Sequence, residues 1–70
     1  MRLTLRFVQE PAPDGRWGGI VDALPGVMAY GATREEAKCK TQALALWCLA
    51  DRLEAGELTS LDHIKFEQIV

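Results

Sequence analysis

Seventy residues allow one domain, and a chain this short hides only about 60% of the surface its unfolded form exposes, so its own core is marginal. An apolar share of 49% with 26% charged residues excludes a disordered polar chain, and no run nears the roughly 20 apolar residues of a membrane span. The net charge of −2 and pI of about 5.2 argue against nucleic-acid binding by this chain alone, because Arg2, Arg6, Arg16, Arg34, Lys38, Lys40, Arg52 and Lys65 are scattered rather than gathered into a basic stripe.

Residues 2–9 alternate, with Leu3, Leu5 and Phe7 on one face and Arg2, Thr4 and Arg6 on the other. That period of two predicts a half-buried strand rather than a signal peptide, and the protein is expected in the cytoplasm. Pro11 and Pro13 then forbid continued pairing, and Asp14-Gly15 favours a tight reversal. Trp17 to Val21 is a second short strand, in which Gly18 and Gly19 predict a bulge or a close backbone approach. Leu24-Pro25-Gly26 suits a type II turn, since only glycine takes the required positive φ cheaply. Val27 to Tyr30 is a third strand, ended by Gly31 and Ala32.

Thr33-Arg34-Glu35-Glu36 reads as a capping box: the Thr33 hydroxyl accepts from the Glu36 amide while the Glu36 carboxylate reaches back to the Thr33 amide. A helix is predicted from about Arg34 to Ala55, with Gly56 as its stop. Ala37, Thr41, Leu44 and Cys48 line the stripe expected against the sheet. Residues 43–50, however, are apolar all round, and one sheet cannot cover both sides. Leu46, Leu49, Ala50 and Leu53 on the far side are therefore the expected interface of a homodimer or higher homo-oligomer. A surface for another protein, or cover from the C-terminal segment, are the alternatives. After the connection Glu57-Leu58-Thr59-Ser60, residues 63–70 predict a last strand, with Ile64 and Phe66 alternating with Lys65 and Glu67. The order β-β-β-α-β defines an α+β two-layer domain with the helix on one sheet face.

No constellation for chemistry emerges, so no catalytic, metal-binding or cofactor-binding residue is predicted. Glu10, Asp14, Asp22, Asp51, Glu54 and Glu57 do not converge as the carboxylates of a metal nuclease would. Ser60 and His63 share a polar connector without a third partner. Gly15-Arg16-Trp17-Gly18-Gly19 precedes a strand and not a helix N-terminus, so it is no phosphate loop. Trp17, Tyr30 and Phe66 are read as core or edge packing rather than a base-stacking platform. Cys39 and Cys48, about 13 Å apart along a helix and on opposite sides, cannot form a disulfide. They are read as small apolar filler in a reducing compartment.

Taken as an ordered series, Asp14-Gly15-Arg16-Trp17, Asp22-Ala23-Leu24-Pro25-Gly26-Val27-Met28-Ala29-Tyr30-Gly31 and Thr33-Arg34-Glu35-Glu36-Ala37 closely resemble the HicB-like antitoxin family. Gln42-Ala43-Leu44-Ala45-Leu46, the stretch from Ala50 to Glu57 and the Lys65-Phe66-Glu67 ending are similar to its short members, so the resemblance spans essentially residues 1–70 as a single HicB-like domain. It implies a partial RNase-H-like β-β-β-α-β fold without catalytic acids. It also implies an antitoxin that binds and occludes a cognate HicA-like toxin, a small mRNA-cleaving ribonuclease. Many members carry a C-terminal DNA-binding segment. Here the sequence ends at Val70, directly after the predicted last strand, and neither that domain nor DNA binding is expected. Asp14, Asp22 and Pro25 are the candidate toxin-facing residues. A stand-alone HicB-fold binding domain without a toxin, or a nuclease remnant, are the competing readings.

Overall fold

The computed structural model of the chain describes residues 1–69. Its elements are β1 (Arg2–Pro11), β2 (Trp17–Val21), β3 (Met28–Gly31), α1 (Arg34–Glu54) and β4 (His63–Gln68). They form an α+β domain: one mixed sheet in the order β3-β2-β1-β4, with α1 packed on one face. The pairs β1–β2 and β2–β3 are antiparallel, whereas β4 runs parallel to β1, which the long helical crossover permits.

β1 is longer than its prolines suggested. Pro11 still pairs in register with Trp17, because β4 has already ended opposite Phe7 and no neighbour on that side asks Pro11 for an N–H. The chain reverses through Gly15 at φ 87°, with the Ala12 amide donating to the Arg16 carbonyl at 2.7 Å. The β2–β3 connection contains the expected type II turn: Gly26 has φ 85° and the Val27 amide donates to the Leu24 carbonyl at 3.1 Å. β3 starts at Met28 and includes Gly31, one residue later at each end than predicted. β4 stops at Gln68, leaving Ile69 beyond it and half exposed; Val70, which the sequence assigned to that strand, lies outside the described residues.

At the start of α1, Thr33 Oγ1 accepts from the Glu36 amide at 3.1 Å. The Glu36 carboxylate reaches one residue further back than a reciprocal capping box requires and accepts from the Ala32 amide at 3.3 Å. The helix ends in a Schellman arrangement, with the Gly56 amide donating to Leu53 O and the Glu57 amide to Arg52 O, and with Gly56 at φ 76°.

Leu5, Phe7, Val21, Leu24, Val27, Ala45 and Leu49 form the core, with Leu3, Ile64 and Phe66 packed against it. The Phe7 and Phe66 rings meet edge to face at 6.4 Å. Helix and sheet approach closely because glycine faces small residues. A Cβ on Gly19 would lie 2.3 Å from Thr41 Oγ1, and one on Gly31 would lie 2.5 Å from the Ala37 backbone nitrogen. The glycine pair in β2 therefore marks a close approach, one of the two possibilities its sequence left open. Gln9, also buried, is bonded at both ends: its Nε2 donates to the Arg34 carbonyl at 2.7 Å and its Oε1 accepts from Gln68 Nε2 at 2.8 Å. One side chain thus ties β1 to the helix start and to β4.

Candidate functional site

The inward stripe of α1 is Ala37, Thr41, Ala45 and Leu49. This corrects the expectation at its second half: Leu44 is exposed and Cys48 only partly covered, while Ala45 and Leu49 take their places. The four-residue spacing follows a ridge inclined to the helix axis, which is the ridge that lies along the sheet. Leu49, expected at an oligomer interface, is 2% exposed and belongs to the chain's own core. Its side chain is not available to a second protein.

The other three residues of that expected interface, Leu46, Ala50 and Leu53, do lie outside. They flank Trp47, which is 75% exposed, the most exposed of the large apolar side chains among the described residues. The reading of residues 43–50 as more apolar than one sheet can use is supported, but its focus shifts to Trp47. The signal was present in the sequence: Trp47 is in line with Lys40, Ala43, Ala50 and Glu54, all of them exposed.

The second apolar surface is the face of the sheet opposite α1. Residues that alternate with the core positions point there, and the register places Val8 beside Ile20 and Ile20 beside Met28. Tyr30, paired with Gly18, lies across that glycine, since a Cβ on Gly18 would be 3.1 Å from the Tyr30 ring. The Arg16 guanidinium is 4.8 Å from the ring centroid, and the Tyr30 hydroxyl donates weakly to Met28 Sδ at 3.9 Å. Tyr30 is thus a held aromatic on an uncovered face and not edge packing alone. A shallow depression of about 120 Å³ runs from it to Pro11, Ala12 and Pro13.

The other half of the same face is charged. The parallel β1–β4 register sets Arg2 beside His63, Thr4 beside Lys65 and Arg6 beside Glu67. Arg6 and Lys65 both reach Glu67, at 3.6 and 3.8 Å. Arg2, Arg6 and Lys65 look scattered in sequence, yet the sheet gathers them.

The expected toxin-facing residues are not brought together. Asp14 sits at the β1–β2 reversal, and Asp22 and Pro25 sit at the other end of β2, all exposed. Asp14 also presents little free charge. It accepts from the Arg16 backbone amide at 3.1 Å and from Arg16 Nε at 2.7 Å, and those hydrogen bonds hold its carboxyl below the usual range. Both cysteines are free; Cys39 is exposed rather than buried filler, and Cys48 is partly buried. Among the described residues no three His, Cys, Asp or Glu side chains are placed to hold a metal ion, and no helix is long and apolar enough to cross a membrane.

Fold and surface together define a small two-layer α+β domain with two unpartnered apolar faces and an acidic overall balance. In comparisons with known proteins, no family model, no curated protein and no solved structure matches the chain.

Proposed function

We propose that this chain is a non-catalytic, cytoplasmic binding protein, an antitoxin of the HicB-like kind that binds and occludes a HicA-type mRNA-cleaving ribonuclease. Its fold is then a partial RNase-H-like one, a reading supported by three antiparallel strands followed by a helix and a strand parallel to the first. The observation that carries the binding role is the uncovered sheet face, where Val8, Ile20, Met28 and Tyr30 form an apolar strip. Tyr30 is already fixed over Gly18 by Arg16, so little rotamer freedom is lost when a partner covers it. A toxin that grips mRNA presents positive charge, and a partner of net charge −2 complements it only modestly. Apolar contact therefore supplies most of the affinity.

The test is co-expression with the product of a small basic reading frame beside this one. Growth arrest by that product alone, relieved by this chain, is the expected outcome. Tyr30→Asp keeps the fold, because the ring lies outside the core, and abolishes relief. A harmless neighbour, or a toxic one that this chain fails to silence, refutes the proposal.

A further inference from the structure

The outer face of α1 has a pattern that the core does not use. Lys40, Ala43, Trp47, Ala50 and Glu54 are all exposed and follow one another at alternating steps of three and four residues. That spacing is the seam by which two helices pack side by side. Trp47 sits at its centre, with an alanine about one turn away on each side and a charge about 10 Å away on each side. The charges differ in sign: Lys40 toward the helix N-terminus, Glu54 toward the C-terminus. The wider helix repeats this asymmetry. Its first half, residues 34–43, has three basic and two acidic residues; its second half, 44–54, has two acidic and one basic.

From this pattern we infer that the outer face of α1 packs against the same face of a second copy of this chain, with the helices antiparallel and the two-fold axis close to Trp47. A two-fold operation there sets Lys40 of each copy beside Glu54 of the other. Each indole then lies across the small side chains at Ala43 and Ala50, which let the backbones come close. A parallel pairing would set Lys40 against Lys40 and Glu54 against Glu54. Lys40 already holds Glu36 at 3.1 Å, so its ammonium lies along this face, and the dimer adds a second carboxylate to an existing pair.

The area agrees with a modest dimer. Helices of 21 residues are about 31 Å long and roughly 10 Å wide, and two such faces with their leucine flanks bury on the order of 1,000 Å² in total, the low end for a specific interface. Leu46 and Leu53 extend the contact on one flank, and Leu44 on the other. The expected dissociation constant is micromolar. The inference stands whether or not a toxin exists, since it needs only this chain.

Sedimentation velocity with far-ultraviolet circular dichroism tests it. The unmodified protein sediments as a dimer in the upper micromolar range, and Trp47→Glu weakens association by at least roughly thirtyfold, as loss of a central Trp anchor does, with unchanged helicity. Lys40→Glu and Glu54→Lys each weaken the dimer. An equimolar mixture of the two single variants restores it, because only the mixed pair places opposite charges at both ends. A protein monomeric at every concentration overturns the inference. So does a dimer indifferent to Trp47→Glu, which would place the contact elsewhere. A mixture that sediments no faster than its components refutes the antiparallel geometry. If the chain is monomeric alone and Trp47→Glu instead abolishes binding to another protein, the face belongs to that partner and the self-association is wrong.

Discussion

Replacing Gly19 with alanine adds a single methyl group, and the contact it meets is specific. The new Cβ would lie 2.3 Å from Thr41 Oγ1 and 3.2 Å from Thr41 Cβ. Thr41 is fully buried and cannot swing aside freely, since its hydroxyl donates to the Ala37 carbonyl at 2.7 Å. Either the helix lifts from the sheet or that hydrogen bond breaks. Overpacking of this kind costs about 2–3 kcal/mol, against a total stability of roughly 4–10 kcal/mol for a 70-residue domain. Thr41→Ala alone costs about 1–2 kcal/mol through the lost hydrogen bond and packing. In the double variant the 2.3 Å contact is gone and only the 3.2 Å approach remains, so Gly19→Ala in that background costs about 1 kcal/mol less or better. Urea unfolding of the four proteins, read as midpoints at constant m-value, measures that coupling. Additive costs, or a Gly19→Ala variant within about 0.5 kcal/mol of the parent, would refute the close-approach account. Gly31→Ala provides the contrast. Its Cβ meets the backbone nitrogen of Ala37 at 2.5 Å and the carbonyl carbon of Glu36 at 2.9 Å, so no side-chain truncation relieves it.

Leu49→Ala destabilises the domain by about 2–5 kcal/mol in thermal or urea unfolding, whereas Trp47→Ala changes monomer stability by less than about 0.5 kcal/mol; equal effects would contradict the assigned faces of α1. Gly26→Ala costs about 1–2 kcal/mol, because its φ of 85° strains any residue with a Cβ, and a neutral outcome would refute the turn. Glu36 is held below its ordinary value of 4.5, first by the hydrogen bond from Lys40, then by the Ala32 amide and then by the Lys40 charge. Its stabilising contribution is therefore fully present above that value and disappears as pH falls through the lower folded one. Glu36→Gln accordingly lowers Tm at neutral pH and flattens its acid decline below about pH 4.5, while parallel profiles would exclude the linkage. In the native protein a thiol reagent modifies Cys39 rapidly and Cys48 slowly, and equal rates would contradict their different exposure.

What the sequence revealed, it revealed through local rules. Thr33 caps the helix, Gly56 ends it, and Leu24-Pro25-Gly26 turns the chain, because each needs only its immediate neighbours. The inward stripe of α1 was half legible. The sequence pattern points to Ala37 and Thr41 but favours the larger Leu44 over Ala45, since hydropathy rewards size while the glycine-backed approach rewards smallness. Leu49 falls outside a stripe drawn through Leu44 and Cys48, because that stripe is offset by one residue from the real one. The sheet's open face is not legible in the sequence: Val8, Ile20, Met28 and Tyr30 become neighbours only through pairing registers that no single strand encodes. Four of the residues that carry the HicB-like resemblance have plain structural duties here. Gly15, Gly26 and Gly31 serve the backbone and Thr33 serves the cap. That part of the likeness follows from the fold, whereas Met28, Tyr30 and Trp47 have no such duty and lie exposed.

The parallel seam between β1 and β4 has a kinetic side. β1, β2, β3 and α1 join neighbours along the chain, whereas Gln68 must find Gln9 across 59 positions. Contacts of such long separation form late, after their loop-closure entropy has been met by other structure. During synthesis β1 therefore remains an open edge until residues 63–68 have left the ribosome. Leu3 and Leu5, which pair with Ile64 and Phe66 in the finished sheet, stay uncovered on that side meanwhile. The interval in which the free edge of β1 can pair with the wrong strand is thus set by the arrival of β4, the segment that covers that edge.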